Sequence, residues 1–330
     1  MVRMRSPVRF WLEAPIEVNN MKEGFGELYT RLYNENKTEL EELRLKSKEE
    51  TNKMLFGVLF FFIGIIIVSL TGIGVVIIVP LVILSMFMFI FSAAKRGAAK
   101  DSPTYLYKNM FKEKIIVPLI TNVFKGAVYR PDKGWTREQY REGGYKEIID
   151  RYSSEDLITS PIELKSGVNS TIEFCEVHTE RESRDKDGHT SYTTIFHGIA
   201  SKMKIDKDLG TEIYIKRNWS SLSGSKIKLD SPEFEKKFDV ESKDRIMAVR
   251  VLTADVMAEM VDMIKKYGYS FEIHIIRDTI YMRVFTGEVF EPNIFKDSME
   301  YQTLEKYYNV IRAMMNLSTH IYKVIDEIIM

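Results

Sequence analysis

Hydrophobic and polar positions change regime three times along the chain. Residues 54–94 contain no Asp, Glu, Lys, Arg or His, and an uncharged run of that length is about twice the ~20 apolar residues that one helical bilayer crossing needs. Thr71, Gly72, Ile73 and Gly74 interrupt it near its middle, where closely spaced glycines turn a chain between helices. The pattern predicts a two-helix transmembrane hairpin, over residues 54–70 and 75–93. Lys46, Lys48 and Lys53 precede it, Lys95, Arg96 and Lys100 follow it, and the turn is uncharged. Both termini are therefore expected on the cytoplasmic side. The run starts too late and is too long for a cleavable signal peptide. Its few polar side chains, Ser69, Thr71, Ser85 and Ser92, favour an anchor over a conducting path.

Before this run, Arg3, Arg5 and Arg9 with Phe10, Trp11 and Leu12 form a basic and aromatic arm suited to an anionic surface, with an unstructured start as the alternative. Residues 22–53, rich in Glu, Lys, Leu and Arg and lacking proline, predict a helix whose stripe of Phe25, Leu28, Leu32, Leu40 and Leu43 needs a cover. After the run, residues 105–124 have a helical rhythm with Pro118 as a kink, residues 131–134 read as a turn, and residues 145–151 predict a short helix.

From residue 158 onward β-branched and aromatic residues alternate between turn signals. Strands are predicted over 171–180, 190–205, 211–216, 226–229 and 247–252, with Asp187 and Gly188 turning the first pair. Residues 254–266 predict an amphipathic helix ended by Gly268, and 269–276 with 279–285 a hairpin about Arg277 and Asp278. The last helix, residues 299–330, places Leu304, Tyr308, Ile311, Met315, Ser318, Tyr322, Ile325 and Ile329 at spacings of four and three, a coiled-coil seam. Its expected cover is the 22–53 helix or a second copy, with docking on the sheet domain as the alternative. The fold class expected is α+β: the hairpin, a cytosolic and mainly antiparallel sheet domain with flanking helices, and a long C-terminal helix. The chain divides into an arm and helix (1–53), the hairpin (54–94), the sheet domain (95–298) and the terminal helix (299–330).

Composition narrows the chemistry. The 330 residues are 45% hydrophobic and 28% charged, enough for a core without staples. Lys plus Arg (47) equals Asp plus Glu (47), which argues against nucleic acid as a partner. Cys175 stands alone, so no internal disulfide or cysteine zinc cluster forms and a reducing compartment is expected. His178, His189, His197, His274 and His320 lack metal-site spacing and nearby carboxylate partners, and Asp185, Asp187 and Gly188 begin a calcium-like loop that is not completed. Gly143 and Gly144 do not belong to a phosphate-binding loop. Cys175, on the opposite strand face from His178, reads as a packed thiol. No catalytic residue, metal or cofactor is expected.

The segment 228–253, KLDSPEFEKKFDVESKDRIMAVRVLT, resembles the signature of an uncharacterised bacterial membrane family, domain of unknown function 3137. VYRP at Val128, DRYSSEDLI from Asp150, FCEVHT from Phe174, FHG at Phe196 and FEP at Phe290 agree in order. The resemblance implies a protein of the bacterial inner membrane, multi-pass, with a cytosolic α+β domain and no established activity. Within the motif, Leu229, Phe234 and Phe238 suit a strand end feeding a helical turn, capped by Asp230 and Ser231 with Pro232 first in the turn. The motif residues singled out are Phe234, Phe238, Asp244 and Arg250, the last two as a turn aspartate and a strand-surface arginine. The expected function is a membrane-anchored binding or scaffold protein, oligomeric through its terminal helices, with membrane lipid and itself or another protein as partners. The alternative is a membrane-bound enzyme or lipid-handling protein whose site is assembled from residues distant in sequence.

Overall fold

The computed structural model describes residues 24–71, 83, 84, 87, 101–164, 166–218 and 227–329. In chain order the elements are α1 (Phe25–Thr71), α2 (Pro103–Phe111), a π turn (Lys112–Ile116), α3 (Val117–Val123), β1 (Val128–Arg130), α4 (Arg137–Glu142), β2 (Arg151–Glu163), β3 (Asn169–Arg184) and β4 (Thr190–Lys204). They continue with β5 (Glu212–Arg217), α5 (Pro232–Glu235), β6 (Phe238–Ser242), α6 (Arg245–Val251), α7 (Ala254–Tyr267), β7 (Phe271–Ile276), β8 (Thr279–Val284) and α8 (Tyr301–Ile328).

All eight strands form one antiparallel sheet in the order β1-β2-β3-β4-β8-β7-β5-β6. Strand alternation divides its side chains between two faces. On the first, Ile172, Phe174, Ile199, Ile273, Ile275 and Met282 join the main core with residues of α1, α2, α3, α7 and α8. On the second, Trp135, Tyr140, Tyr145, Cys175, Val177, Phe196 and Ala200 make a smaller cluster under α4. Cys175 is thus a buried thiol whose pKa burial pushes up to about 12.

The α+β class and the antiparallel sheet are observed, but the transmembrane hairpin is corrected. Among the described residues no helix is long and apolar enough to cross a membrane. Residues 54–71 do not begin a new element; they continue α1, whose earlier turns are charged. The expected second arm lies outside the described residues except for Ile83, Leu84 and Phe87, which are helical and exposed. The multi-pass inner-membrane location built on the hairpin falls with it.

Three local expectations also fail. Residues 247–251 lie in α6 and not a strand, with Leu252 at its C-terminal cap, because the Asp244 side chain caps the Met247 amide at 2.9 Å and Ala248 and Val251 bury one helical face. Residues 227–229 run beside β6 as irregular chain, tied by one bond from Ile227 N to Val240 O at 2.9 Å; Lys226 lies outside the described residues. Residues 145–150 cross the second sheet face as irregular chain before β2 begins. The coiled-coil seam is real as a pattern, yet Leu304, Tyr308, Ile311, Met315, Ser318, Tyr322 and Ile325 are covered within the same chain, where α8 lies against α7, α6, α3, β8 and α1. The start of α1 shares this interface: Tyr29 Oη donates to Met299 O at 2.9 Å, and the Phe25 and Tyr308 rings are 5.1 Å apart.

Gly198 on β4 leaves no room for a side chain against the end of β8. At φ +156° a Cβ there would collide with Val284 O and stand 2.7 Å from Thr286 N, both fixed backbone. Gly198→Ala is expected to lower unfolding free energy by about 2–4 kcal/mol, measured by urea denaturation.

Candidate functional site

The most deeply buried charges on the first face meet where a helix defect faces a strand defect. A β-bulge between Glu155 and Ile158 breaks the register of β2, and Asp156 within it adopts φ +59°, a strained conformation for a side chain with a Cβ. Opposite it, the helix running through α2 and α3 widens into the π turn beginning at Lys112. Pro118, which has no N–H, withholds one ordinary helical bond just downstream. Together these defects aim Lys112 and Asp156 at each other.

Lys112 Nζ donates to Asp156 Oδ1 at 2.9 Å and Oδ2 at 3.1 Å, and pairs with Glu291 Oε1 at 2.6 Å. Tyr129 Oη also donates to Asp156, and Lys108 pairs with Glu291 Oε2 at 2.7 Å. Asp156 is 0% exposed and Lys112 7%. Burial opposes the Lys112 charge, but Asp156 and Glu291 overcome it and hold its pKa above the ordinary lysine value. Burial raises Asp156 more than Lys112 and Tyr129 lower it, whereas Glu291, bonded by both lysines, is held below the usual carboxylate range against its own burial.

Glu176 lies next to this group on β3, paired across the strands with Glu155. Its Oε2 accepts the Val289 amide at 3.0 Å and its Oε1 is 3.3 Å from His197 Nε2. Burial, with Asp156, Glu288 and Glu155 nearby, pushes its pKa up to about 7. His197 and His178 sit directly opposite in the β3–β4 register with ring centroids 4.4 Å apart. The expectation that the histidines lack carboxylates is therefore corrected: His197 has Glu176, His320 Nδ1 lies 2.5 Å from Glu259, and His189 Nδ1 lies 3.2 Å from Asp185.

A divalent cation has two geometric openings among the described residues, and neither needs one. Glu155, Asp156 and Glu291 converge, but Lys112 already neutralises two of them. Asp185, Asp187 and His189 form the exposed β3–β4 tip, where Asp185 Oδ1 accepts the Asp187 and His189 amides at 2.9 and 2.8 Å. That is the hydrogen bonding of a turn.

The second face carries its own polar cluster. Arg283 donates to Glu272 at 2.8 Å and to Tyr140 Oη at 2.7 Å, pairs with Glu147, and stacks 4.2 Å from the Tyr145 ring. His274 Nδ1 is 2.5 Å from Gly143 O, and burial pushes its pKa down to about 3, so the ring is neutral and donates. These contacts hold residues 143–147 extended across the sheet, which is why no helix forms there.

The motif residues occupy a third region. Phe234 and Phe238 are buried with ring centroids 4.9 Å apart, and Phe238 lies 5.1 Å from Phe271. Ser231, not Asp230, caps α5, accepting the Phe234 amide at 3.4 Å. Asp244 caps α6, and Arg250 is exposed on that helix. Phe234 and Phe238 also line a 370 Å³ cavity together with Asn218, Lys228, Glu235 and Asp239. None of the four reaches the Lys112 or Arg283 cluster by a described contact.

A family model described as Protein of unknown function (DUF3137) matches residues 194–322. The match runs from within β4 to most of α8, including His197, Arg283 and Glu291, and leaves Lys112, Asp156 and Glu176 before its start. It carries neither the bacterial origin nor the membrane location that the resemblance implied. No curated protein and no solved structure matches the chain.

Lys112→Met would leave Asp156 and Glu291 buried without their shared cation. Removing one partner of a buried ion pair costs about 3–5 kcal/mol, and chemical denaturation near neutral pH is expected to show a loss of that size.

Proposed function

We propose that this chain, whose residues 194–322 match the DUF3137 family model, is a non-catalytic binding or scaffold protein that assembles with a second copy of itself through the far half of α1. The polar clusters support the first part of this reading. Lys112, Asp156 and Glu291 satisfy one another, as do Arg283, Glu272 and Tyr140. An enzyme needs charged groups that face a substrate-sized space. Neither cluster lines the 370 Å³ cavity beside Phe234 and Phe238, and the cavities lined by Tyr107 and Met299, and by Leu119 and Ile311, each measure about 10 Å³, room for a single water.

The observation that carries the assembly is the change in exposure along α1. In its first half Leu28, Leu32 and Leu40 are buried against the domain. Farther on, Leu55, Leu59, Phe62 and Ile66 are 52%, 53%, 50% and 58% exposed, at spacings of four, three and four, with Phe56, Phe60 and Ile63 beside them. That is a heptad seam with no cover in the chain's described part, and a contiguous apolar surface of this kind marks an interaction site. A second copy supplies the same seam in matching register, as a two-fold interface requires.

Sedimentation velocity on the full chain tests this. The protein is expected to run as a dimer or larger assembly at about 10 µM. Leu59→Lys combined with Phe62→Glu should raise the dissociation constant at least about a hundredfold, since each buried side chain is worth roughly 1.5–3 kcal/mol. A monomeric unaltered protein, or an assembly indifferent to both substitutions, contradicts the proposal, whatever else the helix binds.

A further inference from the structure

Glu176 is 4% exposed, and among the described residues its one ion-pair neighbour is His197. The groups facing it come from four directions: Glu155 and Asp156 on β2, His197 on β4 with His178 stacked against it, Glu288 on the β8–α8 connection, and Tyr307 on α8. The ion pairs of Lys112 go to Asp156 and Glu291. The amide that Glu176 accepts belongs to Val289, followed by Phe290, 1% exposed in the main core, and by Glu291.

We propose that Glu176 is a proton-operated latch on residues 288–291, the strap that carries Phe290 into the core and Glu291 to Lys112. In the closed form the carboxylic acid keeps its proton between Oε1 and His197 Nε2 while Oε2 holds the Val289 amide. Burial and the neighbouring His178 lower the His197 pKa, which favours the neutral ring, whose Nε2 can accept. Loss of the proton places a bare carboxylate beside Glu155, Asp156 and Glu288. The strap relieves that charge by moving Glu288 and the Val289 amide outward and admitting water.

The direction with pH follows from linkage. The closed form holds its proton up to about pH 7, whereas an opened, hydrated glutamate releases it near the ordinary value of about 4.3. The closed form therefore binds the proton more tightly. The latch is firmest below the opened-form value, weakens as pH rises towards the closed-form value, and changes no further once both forms are ionised.

Hydrogen exchange at the Val289 amide, corrected for the intrinsic rate, measures the latch. Protection is expected to fall by up to about tenfold per pH unit between roughly pH 5 and 7, then to level off. In Glu176→Gln the carboxamide keeps the bond from Val289 and donates to His197, so protection should be flat across the same range. Flat protection in the unaltered protein, or the same fall in the variant, overturns the proposal. Should the variant fail to fold, carbon NMR of the Glu176 carboxyl in the unaltered protein decides: a midpoint above about 6 upholds the latch and one below it overturns it.

Discussion

Lys112 joins three parts of the chain that local sequence does not bring together. Its ammonium group holds Asp156 in the β2 bulge and Glu291 in the strap between β8 and α8, while its own backbone forms the π turn. Each defect is unfavourable alone: a non-glycine residue at positive φ costs of order 1–3 kcal/mol, and burying a charge costs several more. They persist because each supplies what the others lack. The bulge turns Asp156 inward, the π turn re-aims the lysine, and the strap brings the second carboxylate.

The two sheet faces handle polarity differently. On the first, the Lys112 group lies beside an apolar core to which seven of the helices contribute. On the second, Arg283 bonds Glu272, Tyr140 and Glu147 and stacks on Tyr145, so a single guanidinium fastens α4 and the chain after it to β7 and β8. Arginine suits this position because its planar fork serves several acceptors while its face packs on an aromatic ring. Glu176 is the exception to both arrangements, a buried carboxylate that faces His197 and other acids instead of a lysine, and burial with those acids pushes its pKa up to about 7.

The elements legible in the sequence were those whose signals are local. Asp187 with Gly188, and Arg277 with Asp278, mark turns between alternating strands, and β3 with β4 and β7 with β8 follow. Gly268, at φ 72°, ends α7 as the pattern indicates. Composition misled where context decides. Residues 247–252, with Val249 and Val251 alternating, read as a strand, but one cap and two buried positions put 247–251 in a helix. The uncharged run from residue 54 reads as a separate membrane hairpin, whereas its described part continues a charged helix. The buried clusters were illegible because their members are far apart: Lys112 and Asp156 are 44 positions distant, and Glu176 and Val289 are 113. Lys112 stands among Lys108, Glu113 and Lys114, and nothing in the sequence distinguishes it from Lys114.

The central claim, that Lys112 and its carboxylates act as one unit, is tested most directly by a double-mutant cycle on unfolding free energy. The cycle comprises the unaltered protein, Lys112→Met, Asp156→Asn and the pair. Groups in direct buried contact couple by about 0.5–3 kcal/mol, and this pair is expected at the upper end, the double variant being more stable than the two single losses would add up to. Effects that simply add, within about 0.5 kcal/mol, would show that the two charges stabilise the fold separately and would contradict the account.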